Sequence, residues 1–93
     1  MENIDKELKA CRDEINEIDD KLVALFIKRM EIAGKIGSLK KEAGLPVLNV
    51  KREDEVRERL LSKTPGEYKE SLGSLYNAIF KISKKYQGED NEV

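Results

Sequence analysis

From Ile4 to Ala43 the apolar residues recur in alternating steps of four and three: Ile4, Leu8, Cys11, Ile15, Ile18, Leu22, Leu25, then Ile32, Ile36, Leu39 and Ala43. One seam position between them, Arg29, is not apolar. A period of 3.5 predicts one long helix whose stripe is buried against other helices. It is expected to begin near Asn3 or Ile4 and to end at about Ala43, where Gly44 suits a left-handed C-cap and Pro46 cannot continue the helix. At 1.5 Å per residue, about 40 residues form a rod of roughly 60 Å. The rest of the chain is too short to cover such a rod, so a second copy is expected to pack along it.

A short second helix is expected after Leu45 to Leu48, with Asn49 as its N-cap, Val56, Leu60 and Leu61 as apolar contacts, and an end near Ser62. Thr64, Pro65 and Glu67 read as a capping box with proline at the first helical position. The third helix then carries a seam of Tyr68, Leu72, Leu75, Ile79, Ile82 and Tyr86. Gly34 and Gly37 interrupt the first helix without shifting its phase, which is the pattern of a close approach by a neighbour or ligand. Residues 88–93 are acidic and poor in apolar side chains, and are expected to form a frayed tail or the start of a linker. The fold class is therefore all-α, three helices per chain (one very long, one short, one medium), with one domain over residues 1–87.

Composition narrows the chemistry. The chain has 93 residues, 40% of them charged, with 18 Lys plus Arg against 19 Asp plus Glu. A net charge of -1 gives no general attraction for nucleic acid, so any anion site must be local. There is no His and a single cysteine, Cys11, on the apolar seam. That removes the commonest general base, the commonest metal ligand and any intrachain disulfide. Met1 to Lys6 lacks the cationic start and apolar run of a signal peptide, and no apolar run reaches the roughly 20 residues of a membrane span. The expected compartment is the cytoplasm, with no membrane partner.

The polar residues that disturb the pattern are the informative ones. A guanidinium at Arg29 would face the interior of a bundle, and a buried cation without a partner costs several kcal/mol. Lys40 lies eleven residues on, rotated by about 20 to 50 degrees and raised by roughly 16 Å, so both cations can converge on one anion. Arg12 stands about 25 Å before Arg29 on the same rod. If both serve one site, Arg12 must come from an antiparallel partner. Ser83 and Gln87, spaced i, i+4, share a face of the third helix, while Arg52 and Glu53 open the second.

Taken in order, these residues resemble the all-helical (type II) class of chorismate mutase. Arg12, Ile18, Asp19, Leu22, Leu25, Arg29, Ala33, Gly37 and Lys40 fall at family spacing, followed by the proline-containing turn, Arg52 with Glu53, and Ser83 with Gln87. The resemblance covers about Leu8 to Gln87 and implies an intertwined homodimer with two equivalent sites, each converting chorismate to prephenate on the route to phenylalanine and tyrosine. By that resemblance Arg29 and Arg12 of the partner subunit hold the substrate's carboxylates, with Ser83 assisting. Lys40 and Gln87 hydrogen-bond the ether oxygen, Glu53 takes the ring hydroxyl, and Arg52 supports the polar wall. Asn49 stands where the family often carries an aspartate near that hydroxyl. The rearrangement needs no nucleophile, proton shuttle, metal or cofactor, so a chain without His loses nothing; it needs a substrate held compact and charge fixed where the C–O bond polarises. Two rivals remain at this stage: an isochorismate pyruvate lyase on the same scaffold, and a helical dimerisation module without an active site. The family is often fused to another enzyme of the aromatic pathway, and this chain is compatible with such a fusion.

Overall fold

The computed structural model describes residues 2–88, which form α1 (Glu2–Ala43), α2 (Val50–Ser62) and α3 (Gly66–Tyr86), with no strand among them. α1 continues unbroken through Gly34 and Gly37, and the described chain is 61 Å along its longest axis. It stops where the sequence places its cap. Gly44 adopts φ 68, and the amides of Gly44 and Leu45 return to the carbonyls of Lys41 (3.2 Å) and Lys40 (2.8 Å), the pairing of a Schellman motif. At the start of α2 the Asn49 Oδ1 accepts the Arg52 amide at 3.0 Å, as expected of an N-cap.

The start of α3 differs from the expected capping box. Pro65 is itself the N-cap residue and makes no side-chain cap bond, while the Thr64 hydroxyl donates to the Leu60 carbonyl at 2.7 Å. The two helices are so close in sequence that Thr64 serves the end of the first instead of the start of the second. Its hydroxyl adds a second bond to a carbonyl in the last turn of α2 that also accepts the Lys63 amide at 3.1 Å.

α3 is the hub of the chain, packing against both other helices. It runs parallel to the C-terminal part of α1, since Arg29 lies over Tyr76 and Gly37 meets Gln87, and antiparallel to α2, since Arg57 bonds Asn77 while Glu53 pairs with Lys84. The small core consists of Met30 and Ala33 (4% and 3% exposed), Gly37, Val56, Phe80 and Ser83. Tyr76 meets Phe80 edge to face at 5.9 Å, and the Arg57 guanidinium lies over the Phe80 ring at 5.2 Å. This corrects the expected α3 seam. Tyr68, Leu75 and Tyr86 are exposed and Leu72, Ile79 and Ile82 are half-buried, whereas Phe80, which the seam omitted, lies at the centre. α3 is apolar over more than one stripe, and the docking of α1 and α2, which periodicity does not encode, selects the stripe that is covered.

Among the described residues nothing covers the heptad seam of α1. Residues 2–28 are exposed throughout, Cys11 among them, and Leu25 keeps 65% of its surface open. Ile32, Ile36 and Leu39 remain open as well, because the face of α1 that meets α3 is the adjacent line of Met30, Ala33 and Gly37. An apolar stripe of this length, broken only at Arg29, is far larger than the patches that monomers tolerate.

Candidate active site

The C-terminal third of α1, the first two turns of α2 and the end of α3 enclose a cavity of about 370 Å³. Arg29 and Lys40 from α1, Asn49, Arg52 and Glu53 from α2 and its cap, and Ser83 and Gln87 from α3 all line it. Ile32, Ala33, Ile36, Val56 and Phe80 form its apolar wall. Such a volume accommodates a small metabolite, and a few convergent polar groups on an apolar wall are the usual composition of a ligand pocket. Arg12 is not part of this cavity; it lies far along the free half of α1 and is exposed.

Each polar side chain has a local reason for its position. Lys40 sits one turn before the end of α1 and donates to the Val47 carbonyl at 2.7 Å and to Gln87 Oε1 at 2.8 Å. Those bonds fasten the connecting loop and the end of α3 to α1. They use two of the three ammonium donors, leaving one for a ligand. Gln87 Nε2 faces Ser83 Oγ at 3.5 Å, a weak contact that leaves its donors largely unspent. Gln87 reaches Lys40 because Gly37 has no side chain: a Cβ there would lie 2.6 Å from the Gln87 Cα. The close approach expected of the glycines is real at Gly37, and its neighbour is the end of α3.

Arg29 is half-buried, its guanidinium 5.9 Å from the centre of the Tyr76 ring. Among the described residues no carboxylate pairs with it, so the one cation on the heptad seam faces the cavity with its hydrogen-bonding edge unused. Arg52 is more open, with only a loose 3.9 Å pairing to Glu55. Glu53 is the sole carboxylate in the lining, and Lys84 approaches it to 3.2 Å from α3. The cavity is thus cationic: Arg29, Lys40 and Arg52 exceed the one carboxylate, which already has a cation of its own. A small anion matches it.

Sequence reasoning missed three contributors. Tyr76 backs Arg29, Phe80 closes the wall, and Lys84 holds Glu53. The aromatic pair could have been sought in the second apolar stripe of α3. Nothing local marks Lys84, which looks like any lysine in the last turn of a helix.

Residues 11–88 match the family described as chorismate mutase type II. The chain is 34% identical over 79 residues to a bifunctional chorismate mutase/prephenate dehydratase of Aquifex aeolicus, an alignment covering 80% of this chain and 22% of that protein. It is 36% identical over 80 residues to a protein of Pyrobaculum aerophilum named 3-dehydroquinate dehydratase, covering 86% of this chain and 24% of that one. The chain therefore spans about a quarter or less of the length of these curated relatives. Among solved structures, a conserved hypothetical protein from Pyrococcus furiosus superimposes with a TM-score of 0.70 at 41% identity, over 86% of this chain and 93% of that one.

Proposed function

This chain belongs to the chorismate mutase type II family, and we propose that its cationic cavity binds chorismate and rearranges it to prephenate in the biosynthesis of phenylalanine and tyrosine. The observation that carries this reading is the Lys40–Gln87 pair. Two side chains 47 positions apart are joined at 2.8 Å on the cavity wall, and each keeps N–H donors free to point at one ligand atom.

Chorismate carries two carboxylates, a ring hydroxyl and an ether oxygen between its ring and its enolpyruvyl arm. In the rearrangement the C–O bond breaks as a C–C bond forms, electrons move around a six-membered array, and no proton leaves or enters. The protein must therefore fold the arm over the ring and stabilise the negative charge that grows on the ether oxygen. Arg29, with Ser83 assisting, binds one carboxylate, and Arg12 of the partner subunit binds the other. Lys40 and Gln87 donate to the ether oxygen. Because both are already oriented by each other and by Val47, little reorganisation accompanies the bond change; such fixed donors are worth about 10² to 10³ in rate apiece. Glu53 accepts the ring hydroxyl, Asn49 lies next to it as a neutral hydrogen-bonding group, and Arg52 completes the polar wall.

The partner subunit follows from the same reading. A homodimer of antiparallel rods covers the open heptad seam and carries Arg12 to the other chain's cavity, giving two equivalent sites. Residues 1–87 constitute the mutase domain; of residues 88–93, expected to be tail or linker, 89–93 lie outside the described residues. The Aquifex relative is named as a bifunctional enzyme, and fusion to another enzyme of the aromatic pathway is compatible with this chain. No helix of the described residues is long and apolar enough to cross a membrane, and the pathway's soluble metabolites favour the cytoplasm.

The test is loss of chorismate absorbance with purified protein, wild type beside Arg29→Ala, with prephenate identified by its acid conversion to phenylpyruvate. Saturable turnover that falls at least about 10²-fold in the variant supports the assignment. Release of pyruvate from isochorismate, without turnover of chorismate, would overturn it in favour of a lyase.

A further inference from the structure

We propose that Lys84 is a positioning residue that makes Glu53 selective for the ring hydroxyl of the substrate, an inference that rests on the mutase reading above. Lys84 does not line the cavity. Its Nζ lies 3.2 Å from Glu53 Oε2, and both side chains are largely shielded, at 20% and 21% exposure.

Two consequences follow from that geometry. The first is electrostatic: a carboxylate in a cavity built for a dianion opposes binding, and a cation paired with it from outside the lining offsets that repulsion without occupying ligand space. The second is directional. With Oε2 engaged by Lys84, and no other side-chain partner for Glu53 among the described residues, Oε1 is the oxygen left to accept a hydroxyl proton from the cavity. The backbone amide of Glu53 is also fixed, bonded to the Asn49 carbonyl at 3.1 Å. Lys84 therefore ties the first turn of α2 to the last turn of α3, one residue beyond Ser83, and sets both the charge and the aim of Glu53. Because Glu53 grips a group that takes no part in bond making, the contact is much the same in substrate and transition state, and its loss belongs in KM more than in kcat.

The experiment compares chorismate with the analogue lacking the ring hydroxyl, using wild type, Lys84→Met, Lys84→Arg and Glu53→Gln, each checked for thermal stability and association state. Methionine keeps the aliphatic stem and removes only the charge. The expected result is a loss of about tenfold in kcat/KM for Lys84→Met on chorismate, mostly through KM, as for weakening one charge-assisted hydrogen bond. The analogue is a dianion as well, so it feels the lost charge but not the lost aim, and its loss is several-fold smaller than that on chorismate. Lys84→Arg retains the preference, and Lys84→Met added to Glu53→Gln has no further effect on it. An equal loss on both substrates, or no loss on chorismate, overturns the proposal while leaving the mutase assignment intact. A wild type inert toward chorismate fails the assignment itself and this inference with it.

Discussion

Gly37 lies directly against the backbone of Gln87: a methyl group on Gly37 would fall on the Gln87 carbonyl oxygen and come within 2.6 Å of its Cα. One turn further along α1, Lys40 receives the side chain of the same glutamine at 2.8 Å. The missing side chain and the hydrogen bond are one device. α3 can bring its C-cap residue to Lys40 only because α1 has no bulk at the crossing point. Opposing atoms there are backbone, so a substitution cannot be absorbed by a rotamer change.

Gly37→Ala should therefore cost both stability and activity. Overpacking typically costs about 1 to 3 kcal/mol, of which the better helix propensity of alanine returns up to about 1. A net loss of about 1 to 2 kcal/mol in chemical denaturation is expected, with at least a tenfold drop in kcat, since a displacement of about 1 Å at a positioned group can cost on the order of 10² in rate. Gly34→Ala provides the contrast. Its Cβ would stand 3.8 Å from the Tyr86 carbonyl oxygen, an ordinary contact. That variant should keep wild-type turnover and gain up to about 1 kcal/mol.

Gln87 donates through an amide that does not titrate, so its contribution should be constant between about pH 6 and pH 8. Gln87→Glu replaces it with a group that donates only when protonated, and Lys40 at 2.8 Å would favour the ionised form. Activity at neutral pH should fall by about 10² to 10³ and rise as the pH is lowered toward the carboxylic range near 4. The check is kcat against pH for both proteins. A profile for the variant that is flat and parallel to wild type would remove Gln87 from the ether oxygen.

Much of this architecture is legible in local sequence because it is encoded by local physics. Steps of four and three from Ile4 to Ala43 define α1, Gly44 and Pro46 end it, and Asn49 caps α2, each through forces acting within a few residues. Arg29 is conspicuous because a cation interrupts an apolar seam. Contacts that depend on docking are not legible in this way. Phe80 instead of Ile82 becomes core because of where α1 and α2 lie, and Glu53 with Lys84 pair across 31 residues of chain with no sign in either neighbourhood. Thr64 illustrates the limit from the other side: its neighbours match a capping box, yet its hydroxyl serves the preceding helix.

The open seam of α1 supports a prediction about association. Within one chain Leu25 is 65% exposed, so Leu25→Asp in a monomer would change stability by no more than about 0.5 kcal/mol. In the proposed dimer the same substitution buries a carboxylate on an apolar seam in each chain, at a cost of several kcal/mol. The variant should lose cooperative unfolding at low concentration and appear as a monomer by light scattering. Turnover should fall with dissociation, because Arg12 would no longer reach the neighbouring cavity.

That last dependence can be isolated by mixing two inactive proteins. Arg12 lies outside the cavity of its own chain, whereas Arg29 lines it. If one site combines Arg29 of one chain with Arg12 of the partner subunit, Arg12→Ala and Arg29→Ala each disable both sites of their own homodimer. In a mixed dimer the two substitutions fall together in one site and leave the other intact. Random reassortment makes about half of all dimers mixed, each with one working site of two, so co-refolded protein should recover about a quarter of wild-type turnover. Were Arg12 to act within its own chain, each chain of the mixed dimer would still carry a defective site, and turnover would not rise above that of the separate variants. Recovery near a quarter therefore identifies the exchange of Arg12 between subunits, and activity that stays at the level of the parents rules it out.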